Sequence, residues 1–461
     1  MDGHRNNPGF GILCDAVAYR RLVVVTGSGV SVGLAQPGRE PASLPTWHSV
    51  LTQLQRRFAD RLGAAAPDVD LLLAAQPRTS DYLIEAATLI REAVGVGDYR
   101  DAVVQLTTAA ADARSPLHDL IEDLQPPGII TFNYDLGHEN AHRVRRRDRR
   151  SPTERMHRAI YSDERKLRAV LAEDFQTRFL LKAHGCISRP KSIVLDRASY
   201  REVMARQPGY RAFAHHVLAR FSALIVGFGL NDPDFGDLLQ SFESNFGGGI
   251  GDHVYIWKRG QRDDEEARAL VLRRRYGLRC LFVDSYDDVR TLIADARVQM
   301  GDRLSHTIAS TLKRTADVEE FRQVRRKAHL ELGHLSPAGA QVATSALIER
   351  VGDASSPVLV RAEAAYSLGK IRPTPSRVVP FLLGKIDIGL PGPIVTSALA
   401  ALLQLDPPVD EQLRSWTRQA AALEPVCSEV DRLQLLQGPR QSARARKYLE
   451  ALLARWEATI S

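Results

Sequence analysis

The chain has 461 residues, 44% of them hydrophobic and 25% charged, with 62 Lys and Arg against 55 Asp and Glu and a formal net charge of +7. The length suits two or three domains, and the composition is ordinary for a soluble globular protein. No apolar run is long enough to span a membrane, and Met1-Asp2-Gly3-His4-Arg5 lacks the apolar core of a secretory leader, so a cytoplasmic protein without a membrane partner is expected. The four cysteines, Cys14, Cys186, Cys280 and Cys427, form no Cys-x-x-Cys pair, and no bound metal is expected. The positive balance permits an anionic partner without requiring one.

A short helix within residues 1–20 feeds the first strand, whose run Val23-Val24-Val25 suits burial on both faces. It ends in Gly27-Ser28-Gly29, where two glycines allow a sharp turn and a close approach of backbone to ligand. A helix starting there would offer its free N–H groups to a phosphate. A Gly- and Pro-rich loop, 32–46, leads through Leu44-Pro45-Thr46-Trp47 into a helix that Thr46 caps. Val50, Leu51, Leu54, Phe58 and Leu62 share one face of it. Ser80 caps the next helix, a third covers about 98–110, and Ser115-Pro116 opens a fourth.

Pro126-Pro127-Gly128 breaks the chain before a second buried strand, Ile129 to Asp135. A polar, helical, arginine-rich region is expected to run to about 176. A third strand covers Phe179 to Gly185, a fourth short one Ser192 to Asp196, and a helix about 199–220. Ser222 to Gly229 is another apolar strand, passing through Leu230-Asn231-Asp232-Pro233-Asp234 into a helix at Phe235. His253 to Trp257 and Leu278 to Val283 are the last strands, followed by a helix near 287–300. Buried strands alternating with helices predict an α/β fold with a Rossmann-like parallel sheet covered on both faces.

From about 315 no strand pattern remains. Three segments repeat instead, with Ala328, Ala364 and Ala398 in correspondence and Leu332, Leu368 and Leu402 likewise, at a helical-hairpin spacing of about 34–36 residues. They resemble HEAT-type repeats, the last one degenerate; an irregular helical bundle is the alternative. Two domains are expected, a catalytic one over 1–305 and an all-α one over 315–461.

Unusual residues gather where strands end: Gly27-Ser28-Gly29, Asn133-Tyr134-Asp135, His184-Gly185 and Gly227-Phe228-Gly229. In an open parallel sheet those ends line the ligand crevice. The set also carries a resemblance. Thr26-Gly27-Ser28-Gly29-Val30-Ser31 resembles the sirtuin Gly-Ala-Gly-x-Ser cofactor loop, with Ser28 in place of Ala. Thr131 to Asp135 resembles the family's Thr-x-Asn-x-Asp motif, and Lys182 to Gly185 its His-Gly motif. Gly227-Phe228-Gly229-Leu230-Asn231-Asp232-Pro233, with Ile193-Val194-Leu195 and Tyr200, resembles prokaryotic sirtuin-like proteins. The order agrees across residues 15–300. The four-cysteine zinc module of deacetylating sirtuins has no counterpart here, and loop 32–46 replaces their Pro-x-Phe-Arg segment.

The resemblance is therefore to bacterial sirtuin-like effectors of antiphage defence, and it implies a hydrolase that cleaves NAD, as substrate, to nicotinamide and ADP-ribose when triggered. It also implies a homo-oligomer. The C-terminal helices would serve assembly or the sensing of a protein partner or phage-derived trigger. An ADP-ribosyltransferase, an NAD-dependent deacylase or a non-catalytic nucleotide-binding subunit are the alternatives.

In chemical terms, breaking the nicotinamide–ribose bond leaves an oxocarbenium-like centre beside a good leaving group, so a positioned nucleophile matters more than a strong acid. Neutral His184 would accept a proton from water or a ribose hydroxyl. Asn133 would orient water or ribose through its paired donor and acceptor. Asp135 would bond loop backbone or stabilise positive charge, or simply fix the strand-end turn. Gly27, Ser28, Gly29 and Ser31 fall to the pyrophosphate, Gly227 and Gly229 let the adenosine half lie close to the sheet, and Thr26, Phe228 and Asn231 are further cofactor-binding candidates. Trp47 would wall the nicotinamide or pack at its helix start.

Three further features carry less. Arg143 to Arg150 is the densest charge run, but it has no interleaved aromatics to stack bases, so a solvated or interface helix is favoured over nucleic-acid binding. Gly247-Gly248-Gly249-Ile250-Gly251 precedes a strand rather than a helix and reads as a connection. His215 and His216 are adjacent, which points them apart on a helix.

Overall fold

The fold was taken from a computed structural model, which describes residues 7–32, 34, 44–76, 79–148, 155–230, 232–246, 252–260, 264–312, 318–385 and 392–405. Those residues fall into two compact units, one within Met1–Val17 and Arg21–Arg297, the other within Ala18–Arg20 and Val298–Ser461.

The first unit is built on one seven-stranded sheet. Its strands are β1 (Leu22–Thr26), β2 (Gly128–Thr131), β3 (Met156–Ile160), β4 (Arg178–Lys182), β5 (Ser222–Val226), β6 (His253–Lys258) and β7 (Leu278–Val283). All pairs are parallel and the order is β3-β4-β2-β1-β5-β6-β7. Every residue of β1, β2 and β4 is buried, as expected for central strands with helices on both faces. The α/β, Rossmann-like reading of the sequence therefore holds.

Three local expectations are corrected. Met156–Ile160 is a strand, not part of a helical stretch. It sits at the sheet edge with only its last two residues buried, so its sequence needs no apolar run. Ser192 closes the 3-10 turn Pro190–Ser192, and the chain from there to Asp196 lies outside the sheet, held by the Val194 N–H donating to His184 O at 3.0 Å. The helix expected over 199–220 is two helices, Arg197–Arg206 and Pro208–Arg220, because Pro208 has no N–H to continue the first and starts the second.

Between β1 and β2 the chain inserts a helical subdomain with its own core. Helices Trp47–Arg57, Ala66–Ala74, Ser80–Val94 and Val96–Thr107 pack around Leu51, Leu54, Ile90 and Tyr99, joined by Ile193 and Leu195 from the extended segment. Thr46 accepts from Ser49 N and Ser115 from His118 N, both as the sequence suggests, whereas the helix Ser80–Val94 is capped by Thr79, which accepts from Tyr82 N, and not by Ser80.

Among the described residues the second unit holds the helices Val318–Leu332, Pro337–Gly352, Val358–Leu368, Val378–Leu383 and Gly392–Leu405. The corresponding positions Ala328, Ala364, Ala398 and Leu332, Leu368, Leu402 are all buried. A Cβ on Gly369 would lie 2.7 Å from Ala401 Cα, so the helix end passes its neighbour at backbone contact. Residues 406–461, with Cys427, lie outside the described residues, as does the Gly247–Gly251 connection. No described helix is long and apolar enough to cross a membrane. The arginine run falls in the helix Gly137–Asp148, where Arg143 pairs with Asp112 at 2.8 Å and buried Arg145 with Asp123 at 3.1 Å; Arg149 and Arg150 lie outside the described residues.

Candidate functional site

β1 and β5 are neighbours, yet the chain leaves β1 toward β2 and leaves β5 toward β6 on the other side. Such a reversal opens a crevice at the C-terminal strand ends. Both glycine turns stand there, and they interlock. Gly29 N–H donates to Gly227 O at 2.9 Å and Gly27 N–H to Val226 O at 3.3 Å. Gly227 has φ +62, and a Cβ on it would lie 2.6 Å from Val30 N; one on Gly29 would lie 2.7 Å from Gly227 Cα. These glycines are there so that two backbones can touch. The contact corrects the expectation that the Gly27 and Gly29 N–H groups face a phosphate, since the first is spent on the end of β5 and the second on the opposite turn. Ser28, exposed at the start of the four-residue helix Ser28–Ser31, is the turn's open polar group.

Asn133, from the segment after β2, is bound into the first turn. Its Nδ2 donates to Gly27 O and to Ser31 Oγ, each at 2.8 Å. Ser31 Oγ in turn donates to Asp135 Oδ2 at 2.7 Å, and Asp135 Oδ1 accepts from Gly137 N at 2.8 Å. The expectation of a paired donor and acceptor on Asn133 is thus corrected: both amide hydrogens are committed, and the side-chain oxygen is what remains for a ligand. Asp135 is placed as the strap that holds Ser31 and its own turn. Behind it, buried Lys182 donates to Asp135 O and lies 3.3 Å from Glu139 Oε1. Burial opposes the ammonium charge, but Glu139 overcomes it and holds Lys182 above its ordinary pKa. Thr26 points into this second layer, to His138 Nε2 at 3.0 Å, and lines neither cavity of the crevice.

A cavity of about 320 Å³ brings together Ser28, Ser31, Asn133, Asp135, His184, Trp47 and the Gly227 turn, beneath Leu44, Val50 and Leu83 of the helical subdomain. Phe228 forms part of its wall, 4.7 Å from the Phe132 ring centroid. Trp47 is stacked at 6.3 Å on Tyr200, and its buried indole N–H has no partner among the described residues. Asn231 lies outside the described residues.

His184 follows β4 and is buried. Its Nε2 stands 3.6 Å from Asp232 Oδ1 and 3.8 Å from Asp234 Oδ2, ion-pair rather than hydrogen-bond distances. The carboxylates are themselves held. Tyr200 Oη donates to Asp232 and Tyr210 Oη to Asp234, each at 2.7 Å, while Asp232 Oδ1 accepts from Phe235 N at 3.1 Å and so caps the helix Pro233–Phe246. Burial disfavours a charged imidazole, but Asp232 and then Asp234 outweigh it, so the His184 pKa lies above its ordinary value. Burial beside the same carboxylates keeps the Tyr200 phenol protonated, a fixed donor.

His184, Asp232 and Asp234 offer three ligand atoms within 4.8 Å of one another, donor types that a small cation accepts. Both carboxylates already accept phenol hydrogens, and a proton on His184 meets their charge. Sequence reasoning quoted Asp232 and Tyr200 only as parts of a motif and gave Asp234 and Tyr210 no role. The Asp-Pro-Asp opening of a helix just past a glycine turn was the feature that could have pointed to them.

Residues 127–281 match the family model of the SIR2-like domain. The matched stretch carries Asn133, Asp135, His184, Gly227, Asp232 and Asp234; β1 and its turn precede it. SIR2-like domains bind NAD, and the match supports a sirtuin-like reading of this domain with NAD-related activity. No curated protein matches the chain.

Proposed function

We propose that the chain is an NAD glycohydrolase, cleaving NAD with water to nicotinamide, ADP-ribose and a proton. The observation that carries this reading is His184, buried in the same cavity as Asn133 and flanked by two fixed carboxylates. As the C1′–N bond lengthens, the electron pair goes to nicotinamide and positive charge develops at C1′. Water adds at C1′ and its proton passes to His184. Asp232 and Asp234 stabilise the imidazolium so formed, and Tyr200 and Tyr210 keep them in place. Asn133, its amide hydrogens tied to the first turn, presents its oxygen to the ribose or the water. The aromatic and aliphatic wall of Phe132, Phe228, Trp47 and Leu83 surrounds the reacting carbon and limits bulk water. Gly27, Ser28, Gly29 and Ser31 form the floor where the phosphates pass, with Ser28 as their contact.

Hydrolysis is preferred to deacylation because the cysteines are spread through the sequence without zinc spacing, and no Pro-x-Phe-Arg segment follows the glycine turn. Within this reading the protein is a triggered defence effector that acts as a homo-oligomer, with a repeat-built region over 315–461, of HEAT type, that receives a protein or phage-derived signal. The test is nicotinamide release from NAD by the full chain with no acyl-lysine present, and NAD level over time in cells expressing it. Loss in both His184→Ala and Asn133→Ala is expected; turnover unchanged in either variant refutes the mechanism.

A further inference from the structure

The crevice does not end at the reacting ribose. A second cavity, of about 580 Å³, shares Ser28, Gly227, Phe228 and Gly229 with the first. A dinucleotide with its nicotinamide riboside in the first cavity and its phosphates at the shared turns has its adenosine half in the second. The second cavity's polar lining differs in kind from that of the first. Lys258, at the C-terminal end of β6, lies in it half-buried, its ammonium 4.6 Å from the Tyr286 ring centroid. Among the described residues no carboxylate pairs with Lys258. Arg290 follows Tyr286 by one helical turn and so shares its face. The sole carboxylate among the described lining residues is Asp287, 3.6 Å from Arg290 in a pair whose two side chains are 92% and 54% exposed. An exposed pair of that kind contributes little and gives way to a better partner.

Strand-end crevices distinguish the two common dinucleotides by one group. A carboxylate accepts from a free ribose 2′-hydroxyl, whereas a basic side chain receives a 2′-phosphate. Here the strand end carries an ammonium that no carboxylate pairs with among the described residues, and a guanidinium lines the same cavity. We propose that the second cavity takes an adenosine ribose bearing a 2′-phosphate, with Lys258 and Arg290 as its contacts, so that NADP is a substrate. This rests on the reading of the first cavity as the nicotinamide riboside site.

The test separates the two readings because it needs no turnover. The full chain is titrated with adenosine 2′,5′-bisphosphate and with adenosine 5′-monophosphate. The bisphosphate is expected to bind at least about tenfold more tightly, in line with a charge-assisted contact. Lys258→Met, which keeps the packing on Tyr286, and Arg290→Gln, at an exposed position, each reduce that ratio. Equal affinities, no binding of either nucleotide, or a preference that survives both substitutions overturns the proposal. Nicotinamide release from NADP and NAD is then compared. A bisphosphate preference without release from either dinucleotide by the purified chain, and without NAD loss in phage-challenged cells expressing it, sinks the hydrolase reading and leaves the phosphate contact standing. Release from NAD with equal nucleotide affinities sinks the phosphate contact alone.

Discussion

His184 Nε2 lies 3.6 Å from Asp232 Oδ1, and that carboxylate is held from its other side by Tyr200 Oη at 2.7 Å. The imidazole therefore meets a fixed negative charge rather than one that must reorganise. A base in this setting is stronger than a free histidine, and its charged form is tolerated in a buried site.

The first prediction concerns acidity. Activity needs neutral His184, so the rate rises with pH through a value above the ordinary histidine pKa. Asp232→Asn removes the leading charge that raises it, and the acidic limb of kcat/KM moves to lower pH while the plateau falls. His184→Ala loses the limb and about 10²–10⁴-fold in rate. A pH–rate profile of the three proteins decides it; a limb that stays in place in Asp232→Asn contradicts the pairing.

The second concerns cations. Because Asp232 and Asp234 are already held by the phenols of Tyr200 and Tyr210, nicotinamide release should persist after exhaustive chelation, with no stoichiometric metal in the active protein. Elemental analysis alongside the assay checks this. Activity that vanishes with a chelator and returns with a divalent ion would assign His184, Asp232 and Asp234 to that ion.

The third concerns a buried network away from the cavities. Arg178 holds Glu122 through Nη1 at 2.6 Å and Nη2 at 2.9 Å, and His142 Nδ1 lies 3.0 Å from the same carboxylate. Burial alone would raise the Glu122 pKa; Arg178 reverses this and brings it to about 2. A depressed carboxyl pKa stabilises the fold above its unfolded value, near 4.5, and that contribution is lost as pH falls toward about 2. Arg178→Met strands the carboxylate and should cost about 3–5 kcal/mol at neutral pH. In Glu122→Gln the loss of stability between those pH values should be smaller than in wild type. Urea unfolding at several pH values measures both.

Much of this architecture was legible because buried parallel strands write themselves as apolar runs. Val23 to Val25, Leu180-Leu181 and Leu224 to Val226 need no partner to be recognised. Met156–Ile160 was not legible, since an edge strand that buries only Ala159 and Ile160 leaves no such run. Of the site, Asn133 and His184 stood out as polar residues at strand ends. Asp234 and Tyr210 did not, because their relation to His184 exists only once β4 and β5 lie on opposite sides of β1 and β2 and the segments that follow them meet. The committed hydrogens of Asn133 were equally hidden, for they depend on the path of a turn far away in the chain.

A fourth prediction follows from backbone contact. Gly227→Ala combines a positive φ with a Cβ 2.6 Å from Val30 N, and should destabilise the domain by about 1–3 kcal/mol. Thermal unfolding should register it, with nucleotide affinity falling in parallel.

The interlock of the two glycine turns has a consequence for how this protein can vary. Gly29 and Gly227 belong to distant parts of the chain but fill a single space, so neither can enlarge unless the other retreats, and neither has a smaller residue to retreat to. A saturation library would find these positions intolerant together, with no second-site change at one rescuing the other. The surrounding loops, by contrast, could be rebuilt around them, which makes the pair the fixed point from which new ligand preferences in either cavity would be engineered.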